Sequence, residues 1–134
     1  MSKSEIILIG AGRHAASCID VIEQENKFKI GGLIGKKEEL GRTVCGYNVF
    51  GIDNDLPELI KQYKSAHISI GQINTNKRNI IYSQVLSLGF TMPTIISPHA
   101  YVSEHADMGN GNIIMHGVII NAGVRIGDGC IINS

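Results

Sequence analysis

The fold is decided by residues 113–132, which read IIMHGVIINAGVRIGDGCII. An aliphatic side chain recurs there every six residues, and the same period extends back to residue 96, at Ile96, Val102, Met108, Ile114, Ile120, Ile126 and Ile132. A helix cannot keep a six-residue repeat on one face, whereas stacked parallel coils place each aliphatic side chain over its equivalent in the next coil. The sequence therefore predicts β-helix coils over residues 96–134, and only Asn112 fits the inward positions badly.

Residues 1–95 alternate between the signals of strands and helices. Short apolar runs predict buried strands at residues 5–9, 28–34 and 66–70. Apolar residues at helical spacing predict helices that include residues 15–22, 56–63 and 81–88, with Asp55 and Asn76 as candidate N-terminal caps. This alternation predicts a parallel sheet with helices on its faces. The expected fold class is α/β, with a small Rossmann-like domain over 1–95 and the start of a β-helix over 96–134.

The composition excludes several classes of function. Of the 134 residues, 43% are hydrophobic, and 12 basic residues balance 12 acidic ones. A neutral chain without a basic run has no electrostatic footprint for nucleic acid or an acidic membrane, and no apolar run is long enough for membrane insertion. The three cysteines, Cys18, Cys45 and Cys130, are odd in number and far apart. We therefore expect a cytoplasmic protein with neither disulfides nor a zinc site.

A glycine loop follows the first predicted strand and opens the first helix. It reads Gly10-Ala-Gly-Arg-His-Ala15. Glycine lets the backbone approach a phosphate closely, and a helix N-terminus offers free N–H groups and a positive dipole end. The loop therefore predicts a nucleotide site. A carboxylate that would hold the ribose of NAD is missing after the second strand, where Lys36 stands, so NAD is disfavoured; Lys36 with Arg13 keeps NADP open.

Together, the 10–14 loop, a second strand ending near residue 34 and repeats of the Ile126-Gly-Asp-Gly-Cys-Ile131 type resemble a known family. They are similar to the acetyltransferases of bacterial sialic-acid-like and bacillosamine-type sugar pathways, which carry hexapeptide repeats. The resemblance implies a left-handed β-helix and a homo-trimer, with acetyl-CoA in the groove between neighbouring helices. It also implies transfer of acetyl to an amino or hydroxyl group of a sugar or nucleotide sugar in surface-glycan biosynthesis.

The substrate site that we expect from the loop, the strand ends and this resemblance consists of Gly10, Gly12, Arg13, His14, Gly35, Lys36, Gly71, Gln72 and Asn74. His14 matches the family's loop histidine, whereas Gly35 and Lys36 stand where the family commonly has an acidic pair. Asn133 matches an active-site asparagine that orients the reacting groups. The resemblance places the general-base histidine beyond Ser134, so we expect a truncated acetyltransferase that is inactive by itself. We also expect a species that is not a monomer, with residues from about 120 onward less protected from hydrogen exchange than the α/β domain.

Two other hypotheses remain open. One is an NADP-linked oxidoreductase half-domain, and the other is a non-catalytic module for nucleotide-sugar binding or assembly. His99, His105 and His116 raise the question of a metal site. Since His99 and His105 are one hexapeptide apart, they fall on different sides of a three-sided coil, and we expect solvated corners without a metal.

Overall fold

A computed structural model describes residues 3–71 and 75–134. The first part of the chain contains β1 (Ser4–Ile9), α1 (Arg13–Glu25), β2 (Phe28–Gly35), β3 (Thr43–Val44), β4 (Tyr47–Ile52), α2 (Leu56–Leu59), β5 (Ser65–Ile68) and α3 (Thr75–Ser87). Strands β6 to β12 follow, at Ile95–Ile96, Tyr101–Val102, Asp107–Met108, Ile113–Ile114, Ile119–Ile120, Arg125–Ile126 and Ile131–Ile132. None of the described helices is long and apolar enough to cross a membrane.

The first five strands form one sheet in the order β3-β4-β2-β1-β5. All neighbours are parallel except β3 and β4, which form an antiparallel hairpin at the edge. In the central strand β1, Ile6 and Leu8 pack on the side of α1, while Ile7 and Ile9 pack on the side of α2 and α3. Both faces of β1 are therefore covered, which is why its sequence is a continuous apolar run. The predicted parallel α/β sheet is confirmed.

Helix α1 buries the predicted stripe of Ala15, Cys18, Ile19 and Ile22. Its N-terminal residue is preceded by Gly12, which supplies no side-chain cap, so the first backbone N–H groups of the helix remain available to a ligand. The helix ends at Glu25 and is capped by Asn26, which has a left-handed backbone (φ 62°) and donates its N–H to the carbonyl oxygen of Ile22.

Three local expectations differ from the structure. The helix expected over 56–63 is regular only over Leu56–Leu59, because the N–H groups of Lys61 and Gln62 donate to carbonyls three residues back. Asp55 does not cap it, since its carboxylate accepts the N–H of Ile52 (2.8 Å) instead. Asn76 lies inside α3 and is not its cap. The β3–β4 hairpin was not predicted; Cys45 and Gly46 both have positive φ there, as a tight hairpin turn requires.

The second part of the chain forms two stacked coils, which confirms the predicted β-helix. Its strands pair in parallel over three sides, with Ile95, Ile113 and Ile131 aligned on one side at eighteen-residue spacing. Asn112, the exception in the repeat, is fully buried and satisfied. Its Nδ2 donates to the carbonyl oxygen of Gly127 (2.7 Å), and its Oδ1 accepts the N–H of Cys130 (2.7 Å). The amide therefore joins consecutive coils from inside.

The two parts of the chain share one hydrophobic core. The cluster that contains Cys18 and Ile22 of α1 continues into Ile95, Ile113 and Ile131 of the coils. The side of the β-helix that carries these isoleucines therefore packs against α1, and both residues of each strand on that side are largely buried. The boundary between residues 95 and 96 stays a prediction.

Candidate functional site

A cleft of about 640 Å³ opens where the strands β1, β2 and β5 end. The loops after these three strands form its walls, as expected at the carboxyl edge of a parallel sheet. Seven of the residues predicted for the site line it, namely Gly10, Gly12, Arg13, His14, Gly35, Lys36 and Gly71. Gln72 and Asn74 lie outside the described residues. The structure therefore brings together in one cleft the described residues of the predicted substrate site.

The floor of the cleft is formed by the turn at Gly10. This glycine has φ +125°, and a Cβ there would lie 2.9 Å from Cγ1 of Ile70 and from the carbonyl carbon of Ser69. A side chain is therefore excluded both by conformation and by contact with backbone. Ser69 fixes the same turn, because its hydroxyl donates to the carbonyl oxygen of Gly10 (2.6 Å). At Gly12, by contrast, the space is open, which suits a ligand that approaches the start of α1.

Several lining residues were missed by sequence reasoning. They are Lys37, Glu39, Asp53, Asn54, Ser69 and Lys77. Asp53 and Asn54 follow β4, so they escaped notice because that strand was not predicted. The carboxylate of Glu39 is hydrogen-bonded to the backbone, since its Oε1 accepts the N–H of Lys36 (2.7 Å). The lysines and Arg13 leave this cleft with an excess of positive groups over carboxylates, which favours an anionic ligand.

Two histidines lie at or below the cleft. His14 lines it, and the Nε2 atom of its ring is buried without a hydrogen-bond partner. Burial, assisted by the nearby Arg78, lowers the pKa of His14, so its imidazole is neutral near pH 7. His67, in β5, is completely buried and neither ring nitrogen has a partner. Burial, with Arg78 and His14 contributing, lowers the pKa of His67 to about 3.

Arg78, in α3, is the cation that acts on both histidines. It is only 7% exposed. Its Nε donates to the carbonyl oxygen of Ile70 (3.0 Å) at the edge of the cleft, and its Nη1 donates to the carbonyl oxygen of Gly129 in the second coil. Its Nη2 is buried without a partner. A single polar residue in a helix carries no pattern, which is why the sequence did not reveal it.

A second polar contact joins α1 to the coils. Nε2 of His116 lies 2.9 Å from Oδ2 of Asp20, and Nδ1 of His116 is hydrogen-bonded to the hydroxyl of Ser97. The order of hydroxyl, imidazole and carboxylate resembles a hydrolytic triad, but Ser97 is 1% exposed and does not line the cleft. Its oxygen also accepts the N–H of His99. The expectation that His116 is a solvated corner is therefore wrong: it connects the two parts of the fold.

Asn133, the residue predicted to orient the reacting groups, follows β12 and is exposed. It does not line the cleft, so the structure does not bring it together with the predicted substrate residues. Within the described ranges, no group of three or more histidine, cysteine or acidic side chains is arranged to hold a metal ion.

An α/β domain with a glycine-loop cleft, followed by hexapeptide coils, is the architecture that the resemblance to sugar acetyltransferases implied. Residues 5–85 match the model of the PglD N-terminal domain. The chain belongs to the PglD N-terminal domain family. No curated protein gives a significant match.

Two solved structures illustrate the similarity. One is a mutant of perosamine N-acetyltransferase from Caulobacter crescentus in complex with CoA and GDP-perosamine; it is 30% identical, with a TM-score of 0.89 over 99% of this chain and 61% of that one. The other is the acetyltransferase domain of PglB from Neisseria gonorrhoeae in complex with acetyl coenzyme A; it is 26% identical, with a TM-score of 0.85 over 99% of this chain and 63% of that one. The chain thus spans less than two thirds of each of these structures.

Proposed function

We propose that this chain is the substrate-binding part of a sugar N- or O-acetyltransferase, which transfers acetyl from acetyl-CoA to an amino or hydroxyl group of a nucleotide sugar in surface-glycan biosynthesis. The observation that carries the proposal is the cleft at the Gly10–His14 loop, in a chain similar throughout to proteins solved with CoA and GDP-perosamine. A cytoplasmic location fits the three cysteines, all of which are free.

The cleft suits a nucleotide sugar in size and charge. Its volume of about 640 Å³ falls within the range of ordinary small-molecule sites. The uncapped start of α1 and the side chains of Arg13 and Lys36 supply N–H groups and positive charge for the diphosphate. Gly71 and the neutral imidazole of His14 then contact the sugar, together with Gln72 and Asn74 in our proposal.

The chemistry requires three events at the acceptor. The sugar amine or hydroxyl attacks the thioester carbonyl of acetyl-CoA, a base removes the proton of the nucleophile, and CoA leaves as its thiolate. We assign Asn133 the role of orienting the reacting groups, by hydrogen bonds from a side chain that is exposed after β12. Acetyl-CoA lies along the side of the coils in this scheme.

Assembly as a homo-trimer is part of the proposal, and the three sides of the β-helix support it. One side packs against α1, and another carries the charged pair Asp107 and Arg125. The third side presents Tyr101 beside Ile119, which are 59% and 69% exposed. Adjacent large apolar side chains in solvent favour a protein contact. Tyr101→Lys is expected to lower the sedimentation coefficient toward that of a monomer, while Asp107→Asn leaves it unchanged.

The proposed ligand is tested by titrating the protein with GDP-, UDP- and CMP-sugars while recording backbone amide shifts. At least one nucleotide sugar is expected to shift Gly10–His14, Gly35–Lys36 and Gly71. Arg13→Gln should weaken binding, and Arg42→Gln, which removes an exposed guanidinium outside the cleft, should not. Shifts confined to residues 96–134, or saturation by NADP but by none of the sugars, would contradict the proposal.

A further inference from the structure

We propose that Arg78 is a positioning residue, whose buried guanidinium fixes the cleft wall at Ile70–Gly71 to the second coil at Gly129 and thereby holds the imidazole of His14 in the cleft. This inference rests on the proposed function for the identity of the ligand that binds in the cleft. The contact between Arg78 and two separate parts of the chain does not depend on that function.

The burial of Arg78 is unfavourable for the stability of the fold. Arg78 is only 7% exposed, and no carboxylate within residues 3–71 and 75–134 lies at ion-pairing distance from it. Two carbonyl oxygens accept its hydrogen bonds, but they do not neutralise the charge, and Nη2 has no partner at all. A buried cation without a counter-ion weakens a fold, so its presence beside a cleft indicates a functional role.

The cleft wall that Arg78 holds is in contact with His14. Ile70, which accepts from Nε, is followed by Gly71, and a Cβ on Gly71 would lie 3.6 Å from Cβ of His14. The same wall is tied to the Gly10 turn by the hydroxyl of Ser69. Fixing the carbonyl of Ile70 therefore fixes the surface against which His14 packs.

The other end of the bridge made by Arg78 lies at the turn that leads into β12, the strand that Asn133 follows. Gly129 accepts from Nη1 of Arg78, and its N–H donates to the carbonyl oxygen of Asn110 in the coil below (2.9 Å). Tyr82, one turn further along α3, packs over this turn as well, since a Cβ on Gly129 would lie 3.1 Å from its ring. Helix α3 thus sets the distance between the cleft and the part of the coils that carries Asn133, where we propose that acetyl transfer takes place.

The positive charge of Arg78 adds an electrostatic effect on His14. Arg78 of α3 is close enough to act on His14 and on His67 of β5, and the same guanidinium acts on Cys18 of α1. Burial raises the pKa of the Cys18 thiol to about 12, so Cys18 supplies no negative charge at neutral pH. Arg78 therefore acts without a compensating anion, and it favours the neutral form of His14, which can accept a hydrogen bond or a proton.

The test separates the charge of Arg78 from its forked geometry. Arg78→Lys keeps the charge but cannot span both carbonyls, whereas Arg78→Gln removes the charge. The pKa of His14 is followed by NMR of its ring, and hydrogen exchange is followed at Gly71 and Gly129. We expect His14 of Arg78→Gln to titrate at higher pH than in the wild type and His14 of Arg78→Lys to stay low, with faster exchange at both glycines in both variants. Arg42→Gln should change neither measurement.

Two results would overturn the inference. One is an unchanged titration of His14 in a folded Arg78→Gln variant; the other is wild-type exchange at Gly71 and Gly129 in Arg78→Lys, which also decides the matter if Arg78→Gln fails to fold. A purely structural role would change overall stability without moving the titration of His14. If the wild type binds no nucleotide sugar, the proposed function fails, while the titration and exchange still decide the role of Arg78.

Discussion

Replacing His67 by leucine is expected to remove much of the sensitivity of the fold to mild acid. His67 is completely buried in β5, and both ring nitrogens lack partners. Burial first, then Arg78 and His14, lowers its pKa to about 3 in the folded protein. In the unfolded chain the imidazole takes up a proton near pH 6.5. Between these values the unfolded state binds more protons than the folded state, so stability falls as the pH falls below 6.5.

The size of the effect follows from the unfolded imidazole. Between pH 7 and pH 5 the unfolded state gains about 2 kcal/mol through protonation of His67, while the folded state gains nothing. The free energy of unfolding of the wild type should therefore drop by about 2 kcal/mol more than that of His67→Leu. His14 adds a smaller contribution of the same sign because its pKa is lowered too, so the variant keeps a residual pH dependence.

Urea denaturation at pH 5, 6 and 7, followed by far-ultraviolet circular dichroism, measures this difference in a chain that has no tryptophan. His105→Leu is the matched control, because it removes an exposed histidine at a corner of the coils. Its pH dependence should equal that of the wild type. The reasoning is refuted if His67→Leu loses as much stability between pH 7 and pH 5 as the wild type does.

Three further substitutions test other parts of the structure. Gly10→Ala introduces a Cβ at φ +125° against backbone, so it should cost about 1–3 kcal/mol in urea unfolding and abolish nucleotide-sugar binding. Asn112→Leu removes both hydrogen bonds of the buried amide and leaves the N–H of Cys130 unpaired, so a loss of about 1–3 kcal/mol should appear in the same measurement. His116→Ala breaks the link from Asp20 to the first coil and should cost about 0.5–1.5 kcal/mol; an equal loss in Asp107→Asn would contradict this assignment.

The regular parts of the fold were predictable because their physics is repetitive. Each inward position of the coils must be small enough and apolar enough to stack on its equivalent, so the six-residue period appears in the sequence. The strand β1 was equally clear, because burial on both faces forces an unbroken apolar run. The six-residue period did not account for Asn112. Its side-chain amide forms hydrogen bonds with two backbone groups of the next coil, which take the place of an aliphatic contact.

The site could be predicted only where a loop motif marks it. Gly10 lies in a turn whose backbone conformation demands glycine, and His14 follows at the start of α1, so their place was evident. Asp53 and Asn54 depended on β4, which was missed because the β3–β4 hairpin turns at Cys45, a residue type that rarely adopts positive φ. Arg78 lies far from the loop in sequence, and its significance arises from contacts that only the assembled fold creates.

The outward positions of the coils carry information that the six-residue period does not. Because each coil has three sides, an outward residue is repeated after eighteen residues, and Ile95, Ile113 and Ile131 form one such series. Isoleucine at outward positions would be exposed on a free β-helix, but here it completes the core that α1 begins. The side chains that stabilise the first coils thus come partly from the α/β domain. The two parts therefore depend on each other for burial, and the cleft and the coils are held at a fixed distance by the same core that makes them stable.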